Sequence, residues 1–245
     1  MNNTRSINLQ ALLASSFKLF REHIQFLLGL VAMLLVLAVV PGIYFDLYFS
    51  GIESFEDLDL STLLMNDNEV SLTQRLIAVA LQLLEWIVEL GVLAVFLKLI
   101  DGTPTSVGDI FKNWDKVFAY VVATVIYGIV IVLGLILLIV PGIFFAIRLQ
   151  FYSYLIIDKG LNPFEALSES YNLTRGFAFD LLILAIVQFF IAIFGLLFFI
   201  IGIIPAMGYL YVINAMVYRS LIEGGGPIPA LRFRENNITD TDYQF

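Results

Sequence analysis

The chain has no cysteine and only one histidine, His23, among its 245 residues. Without cysteine it can form neither a disulfide bond nor a thiolate metal site, and it has no thiol nucleophile. A single histidine cannot by itself build a histidine-based metal centre. We therefore expect no metal ion and no cofactor.

Charged side chains are also scarce. They make up 14% of the sequence, whereas hydrophobic residues make up 60%. A soluble helix would keep one polar face, and the stretch from Ile129 to Phe145 has none. Uninterrupted apolar stretches of about 20 residues are typical of transmembrane helices. We predict an all-α, multi-pass membrane protein that forms a single membrane domain over residues 1–245.

Six transmembrane helices account for the apolar stretches. The run over 117–157 must contain two of them, because one helix of that length would be about 60 Å long against a hydrocarbon core of about 30 Å. We place its reversal at Pro141-Gly142, since proline cannot continue the helical hydrogen bonds and glycine tolerates a turn. The same reasoning splits 177–222 near Gly202 to Pro205. The other two spans lie at about 24–45 and 73–99.

Two recurring phrases indicate an internal repeat. The first is an aliphatic pair followed by an acid, one or more glycines and a proline, and its acids are Asp101, Asp158 and Glu223. We interpret these acids as helix caps. The second phrase is an aliphatic pair followed by proline and a small residue, and it predicts outer turns at Pro41-Gly42, Pro141-Gly142 and Pro205-Ala206.

A short amphipathic stretch precedes each predicted hairpin and is expected to lie in the membrane interface. These stretches cover 12–20, 107–114 and 164–171. The repeats are then 9–104, 105–163 and 164–227, followed by a polar tail over 228–245.

The distribution of basic residues predicts the orientation. With both termini in the cytoplasm, eleven of the thirteen Lys and Arg residues fall on the cytoplasmic side. Arg75 lies near the outer face and Arg148 lies within the membrane. The acidic loop 46–72 is then on the extracytoplasmic side of the membrane. We expect a bacterial inner-membrane location.

The second and third repeats carry a recognisable pattern. An apolar run ends in Pro141-Gly142, Arg148 follows in the next span, and a Glu165-Ala166-Leu167 helix leads to Leu173-Thr174-Arg175-Gly176. The pattern resembles the YciC-like bacterial inner-membrane proteins and the membrane domain fused to some glycerophosphoryl diester phosphodiesterases. The resemblance covers about residues 105–223 well and the first hairpin only loosely. It implies a polytopic inner-membrane protein of poorly defined activity, and the catalytic domain of the fused members has no counterpart here.

Three charged side chains fall deep within the predicted spans, away from their ends, where an ionisable group is costly and points to a function. Glu85 and Glu89 share one helical face because they are four residues apart, and depth counting would let Arg148 reach them. Gln82 and Gln150 lie nearby. One interpretation is a buried ion pair that decides which hairpins pack together. The other assigns Arg148 to an anionic head group or carboxylate, with a glutamate as a proton or cation site. A third interpretation is that the charged side chains snorkel to the interface or that the predicted helix register is shifted. In that case they form neither an ion pair nor a binding site.

Four further polar residues in the last two spans are interpreted as interhelical hydrogen-bonding groups. They are Asp180, Gln188, Asn214 and Tyr218.

No nucleophile–base pair and no phosphate-binding or nucleic-acid-binding pattern can be assembled, so we expect no enzyme and no nucleic-acid partner. Three hypotheses follow. The first is a non-catalytic protein that binds or helps to move a lipid-like amphiphile in a polar groove. The second is a membrane scaffold or accessory subunit with a filled interior. The third is a small-solute or proton-coupled transporter with a water-accessible cavity, which three hairpins make less favourable. Membrane lipids are the expected partners, and a protein partner or a second copy stays open.

Overall fold

The computed structural model of the protein describes residues 7–49 and 72–225, and every regular element in those two ranges is a helix. The all-α prediction is confirmed for this part of the chain. The α-helices are α1 (Leu9–Glu22), α2 (Ile24–Phe49), α3 (Leu72–Ile100), α4 (Val117–Leu137), α5 (Ile139–Leu149), α6 (Tyr152–Lys159), α7 (Pro163–Leu173), α8 (Ala178–Leu197) and α9 (Phe199–Ile222), and a 3-10 helix covers Val107–Lys116.

Three stretches in the described ranges are long and apolar enough to cross a membrane: Val107–Leu137, Ile139–Lys159 and Ala178–Leu197. A fourth is added if α1 and α2, which meet at an angle of 88°, count as one broken span. All six predicted spans are helical, but six crossings stay a prediction. The segment 50–71, which forms most of the predicted acidic loop 46–72, lies outside the described residues, as does the tail 228–245.

The three predicted interfacial stretches form separate helices, namely α1, the 3-10 helix and α7. Side-chain caps begin two of them, because Asn8 Oδ1 accepts a hydrogen bond from the Ala11 N–H at 3.0 Å and Asn162 Oδ1 accepts one from the Glu165 N–H at 2.9 Å. Pro163 is the first residue of α7, where its missing N–H costs nothing.

The interpretation of the repeated acids as helix caps is wrong for Asp101 and Asp158. The caps are Ser106 and Asn162, because the following helices begin several residues after the acids. A glycine with positive φ follows each acid instead, and these are Gly102 (φ +70°), Gly160 (φ +64°) and Gly224 (φ +70°). Glycine adopts this backbone without a steric penalty, so the repeated phrase encodes a way to end a helix.

The reversals lie closer to the N-terminus than predicted. The break between α4 and α5 is at Leu138, whose backbone is extended (φ −164°, ψ 144°), and Pro141 is the third residue of α5. In a continuous helix the proline ring would clash with the carbonyl four residues earlier, so the helix breaks one turn before it. The break between α8 and α9 is likewise at Phe198, and Pro205 lies inside α9. Pro41 and Gly42 lie within α2 rather than at its end.

Small residues allow the helices of each reversal to pack closely. A Cβ atom added to Gly134 would lie 2.8 Å from Gly142 Cα, and one added to Gly195 would lie 2.5 Å from Ala206 Cβ. Gly134 and Gly195 each lie in the last turn before a break, at Leu138 and Phe198. Small residues at helix crossings are a common packing device in membranes. The sequence interpretation had assigned Gly142 and Ala206 to turns and had missed their role in packing.

The buried core lies at one end of the helices. The second half of α3, from Val88 to Ile100, packs with α6 and with Val212–Leu221 of α9. The first half of α3, the end of α4 with the start of α5, and most of α8 expose large apolar side chains. This surface is the kind that lipid would cover.

Candidate functional site

The structure separates the predicted polar cluster into three places. Gln82 Nε2 donates to Glu85 Oε2 at 3.0 Å on the exposed side of α3. Gln150 Nε2 donates to the Ile147 carbonyl at 3.0 Å and serves the backbone of α5. Glu89 and Arg148 have other neighbours, described below, and no ion pair joins Arg148 to either glutamate in the described ranges. Depth counting placed these residues at similar levels but did not reveal which helix each one faces.

Glu89 lies among tyrosines. The Tyr120 hydroxyl donates to its carboxylate, and Tyr152 and Tyr211 lie close enough to interact electrostatically. Thr124 Oγ1 and the Tyr152 hydroxyl are 2.9 Å apart, which extends the polar group along α4. No Lys or Arg pairs with Glu89 among the residues that the structure describes. The hydrogen bond from Tyr120 thus partly compensates this carboxylate.

Arg148 is buried, with 5% of its surface exposed. Its Nη1 donates to the Thr174 carbonyl at 3.0 Å, and its guanidinium carbon lies 4.0 Å from the ring centroid of Tyr171. The Phe144 ring is farther away, at 5.7 Å. The Nε atom is buried without a hydrogen-bond partner. No carboxylate lies within ion-pair distance in residues 7–49 and 72–225, so the compensation for this cation is incomplete.

Two hydroxyl groups fix the backbone at Arg148. Ser170 Oγ donates to the Arg148 carbonyl at 3.0 Å and accepts from the Phe151 N–H at 3.1 Å. Thr174 Oγ1 also lies 3.1 Å from the Arg148 carbonyl. These groups satisfy the backbone where α5 ends and α6 begins, so α7 and the turn after it position the arginine.

Comparison with known proteins identifies no relative. No family profile, no curated protein and no solved structure matches this chain. The function must therefore be argued from the geometry above.

The sequence interpretation missed Tyr171 and Thr174 as neighbours of Arg148. Both lie in the segment from Glu165 to Gly176, whose pattern had been taken to specify topology. Their side chains meet Arg148 because α7 packs back against α5. Arg148 precedes the turn at Gly160, and Tyr171 and Thr174 follow it. No fixed spacing between these residues predicts that they are in contact.

A second polar network joins three helix ends. Arg219 on α9 binds Asp101 with two hydrogen bonds, from Nε at 2.8 Å and from Nη2 at 2.6 Å, and its Nη1 donates to Asp158 at 2.8 Å. The Tyr218 hydroxyl also donates to Asp158, at 2.8 Å. Two acids of the repeated phrase thus meet at one arginine. Glu223, the third, is exposed at the end of α9.

Basic residues gather near this network. Lys98 and Lys112 both pair with Asp109, and Lys116 Nζ donates to the Ile157 carbonyl at 2.7 Å. Lys159 pairs with Glu169 at 3.1 Å. These contacts are consistent with the predicted cytoplasmic end, although they do not by themselves orient the protein.

The remaining predicted polar residues are also placed. Gln188 Nε2 donates to Asn214 Oδ1 at 2.8 Å, which confirms an interhelical hydrogen bond between α8 and α9. Asp180 accepts a hydrogen bond from the Ile7 N–H at 2.9 Å and so holds the start of the described chain. Among the described residues, no group of three or more His, Cys, Asp or Glu side chains could hold a metal ion.

Proposed function

We propose that this protein is a non-catalytic, multi-pass bacterial inner-membrane protein that binds, or helps to move, a lipid-like amphiphile. The observation that carries the proposal is Arg148, a buried guanidinium with an unpartnered Nε and no carboxylate within ion-pair distance in the described part of the chain. Burying a charge is costly unless it is paired. An anionic group from a ligand would supply the missing charge.

The surface next to Arg148 suits the apolar part of such a ligand. On α5, the helix that carries the arginine, Ile143 is 45% exposed and Phe144 is 42% exposed. The neighbouring helix α8 also exposes large apolar side chains, among them Ile186 and Phe190. An amphiphile could therefore place its anionic group at Arg148 and its hydrocarbon along α5 and α8. Glu85 and Glu89 take no part in this site.

The first test is native mass spectrometry of the protein purified in mild detergent, for the wild type and for Arg148→Ala. We expect an anionic lipid to be retained by the wild type and lost from Arg148→Ala. Arg175→Ala is the matched control, since Arg175 is an exposed arginine in the turn that also contains Thr174. Equal loss in both variants, or no retained lipid in the wild type, would refute the proposal.

A membrane scaffold without a substrate is the second candidate, and the Arg219 network favours it. That network ties the ends of α3, α6 and α9 with three hydrogen bonds from one side chain. A scaffold needs such rigidity and needs no ligand at Arg148. Lower thermal stability of Arg148→Ala with an unchanged lipid profile would favour this function.

A further inference from the structure

We infer that Arg148 presents one specific edge of its guanidinium, formed by Nε and Nη2, to two oxygens of a phosphate group. This inference rests on the proposed function and deepens it by naming the chemistry of the ligand.

The opposite side and one face of the guanidinium are occupied. Nη1 donates to the Thr174 carbonyl, and the Tyr171 ring covers a face with its centroid 4.0 Å from the guanidinium carbon. Stacking uses the face of a guanidinium and leaves its N–H groups free to bind in the plane. Nε has no partner, and Nη1 is the nitrogen whose hydrogen bond to residues 7–49 and 72–225 is observed. Nε and Nη2 therefore form one edge on which neither nitrogen is engaged by the described residues.

That edge matches a two-oxygen anion. The N–H groups of Nε and Nη2 are parallel, and arginine uses such a pair to bind carboxylate or phosphate with two hydrogen bonds. The Thr174 carbonyl is a neutral partner, so one positive charge is left to balance. A phosphodiester carries one negative charge and is supplied by the phospholipid of any bilayer. A phosphate in solution offers the same two oxygens.

Two partly exposed aromatic side chains lie near the guanidinium. Tyr171 and Phe144 are 38% and 42% exposed, whereas Nε is buried. Arg148 therefore lies close to the protein surface. Ser170 is a positioning residue, because its hydroxyl holds the backbone of Arg148.

The test is thermal unfolding in detergent with four added probes: dioleoyl phosphatidylglycerol, oleate, dioleoylglycerol and inorganic phosphate. We expect phosphatidylglycerol to raise the melting temperature of the wild type and dioleoylglycerol to leave it unchanged. Arg148→Lys keeps the charge but loses the paired donors, so the apparent Kd for phosphatidylglycerol should rise about tenfold or more. Undiminished affinity in Arg148→Lys would overturn the inference.

The other probes separate this inference from the proposed function. A shift with oleate but not with either phosphate would overturn the phosphate assignment and leave an amphiphile-binding protein. A shift with inorganic phosphate equal to that with the lipid would support the phosphate edge and argue against an amphiphile as the ligand. No shift with any probe would overturn both.

Arg148→Met distinguishes a binding arginine from a structural one. Methionine fills part of the same space without a charge, and removing an incompletely compensated buried charge is often neutral or stabilising. We expect Arg148→Met to melt no lower than the wild type without added lipid, and to show no shift with phosphatidylglycerol. A lower melting temperature with an undiminished lipid shift would assign Arg148 to packing.

Discussion

At the scale of single residues, the buried Arg148 and the half-buried Arg219 differ in how completely they are paired. Arg219 meets two carboxylates and makes three hydrogen bonds to them. Arg148 has one carbonyl, one stacked ring and an unpartnered nitrogen. A structural arginine in a membrane protein is expected to resemble the first, and a ligand-binding arginine the second.

Arg219→Gln tests the structural role. The substitution leaves Asp101 and Asp158 without their cation, and we expect the free energy of unfolding to fall by about 1–3 kcal/mol, the usual worth of hydrogen bonds to charged groups. Thermal unfolding of the purified protein measures it. Arg175→Gln removes an equal charge from an exposed position and should change stability little. An equal effect of the two substitutions would contradict a specific network.

The hydroxyl of Ser170 is a second residue-scale case. Ser170→Ala removes the acceptor of the Phe151 N–H and one donor to the Arg148 carbonyl. Leaving buried backbone groups unsatisfied costs about 1–3 kcal/mol, so we expect a lower melting temperature. Ser168→Ala is the control, because Ser168 is exposed on the same helix. If Ser170→Ala and Ser168→Ala have the same melting temperature, the Ser170 hydroxyl does not stabilise the break between α5 and α6.

At the scale of helices, glycine decides how closely elements approach. A Cβ atom on Gly91 of α3 would overlap the Ile110 carbonyl of the 3-10 helix. Gly91→Ala should therefore cost about 1–3 kcal/mol through overpacking, measured by thermal unfolding. Gly128→Ala on α4 provides the control, since nothing lies within 4 Å of its added Cβ. A Gly91→Ala protein as stable as the control would show that the two elements are less close than described.

Helices were predictable from this sequence because apolar segments in a membrane must satisfy their own backbone hydrogen bonds. The exact breaks were not, because proline acts on the carbonyl of a residue one turn earlier. For that reason the reversal predicted at Pro141 lies at Leu138. The neighbours of Arg148 were also out of reach, since counting residues gives depth along a helix but not the direction of a side chain. The fold of α7 onto α5 supplies that direction.

For the whole molecule, six membrane crossings with both termini in the cytoplasm can be tested directly, because the chain has no native cysteine. The substitutions Leu138→Cys and Phe198→Cys each place a single cysteine at a predicted outer break. Glu165→Cys and Glu223→Cys each place one on the predicted inner side. We expect a membrane-impermeant maleimide to label the first pair in intact spheroplasts and the second pair only after permeabilisation.

A mixed result would identify the hairpin that departs from this topology. If the cysteine in Leu138→Cys is not labelled in intact spheroplasts while that in Phe198→Cys is labelled, α4 and α5 do not reach the outer face. Labelling of Glu165→Cys in intact spheroplasts would contradict the predicted orientation. Native cysteine-free protein is the background control in each case.

The hydroxyl support at the α5–α6 break has a consequence for biogenesis. A ribosome delivers residues in order, so α5 and α6 emerge from it before Ser170 and Thr174 do. Until those two side chains arrive, the Arg148 carbonyl and the Phe151 N–H lack the partners that they have in the finished protein. The hairpin of α4 with α5 and α6 can therefore be inserted early but acquires its final shape only after α7 folds back against it. The final structure of this region therefore requires the segment that carries Tyr171.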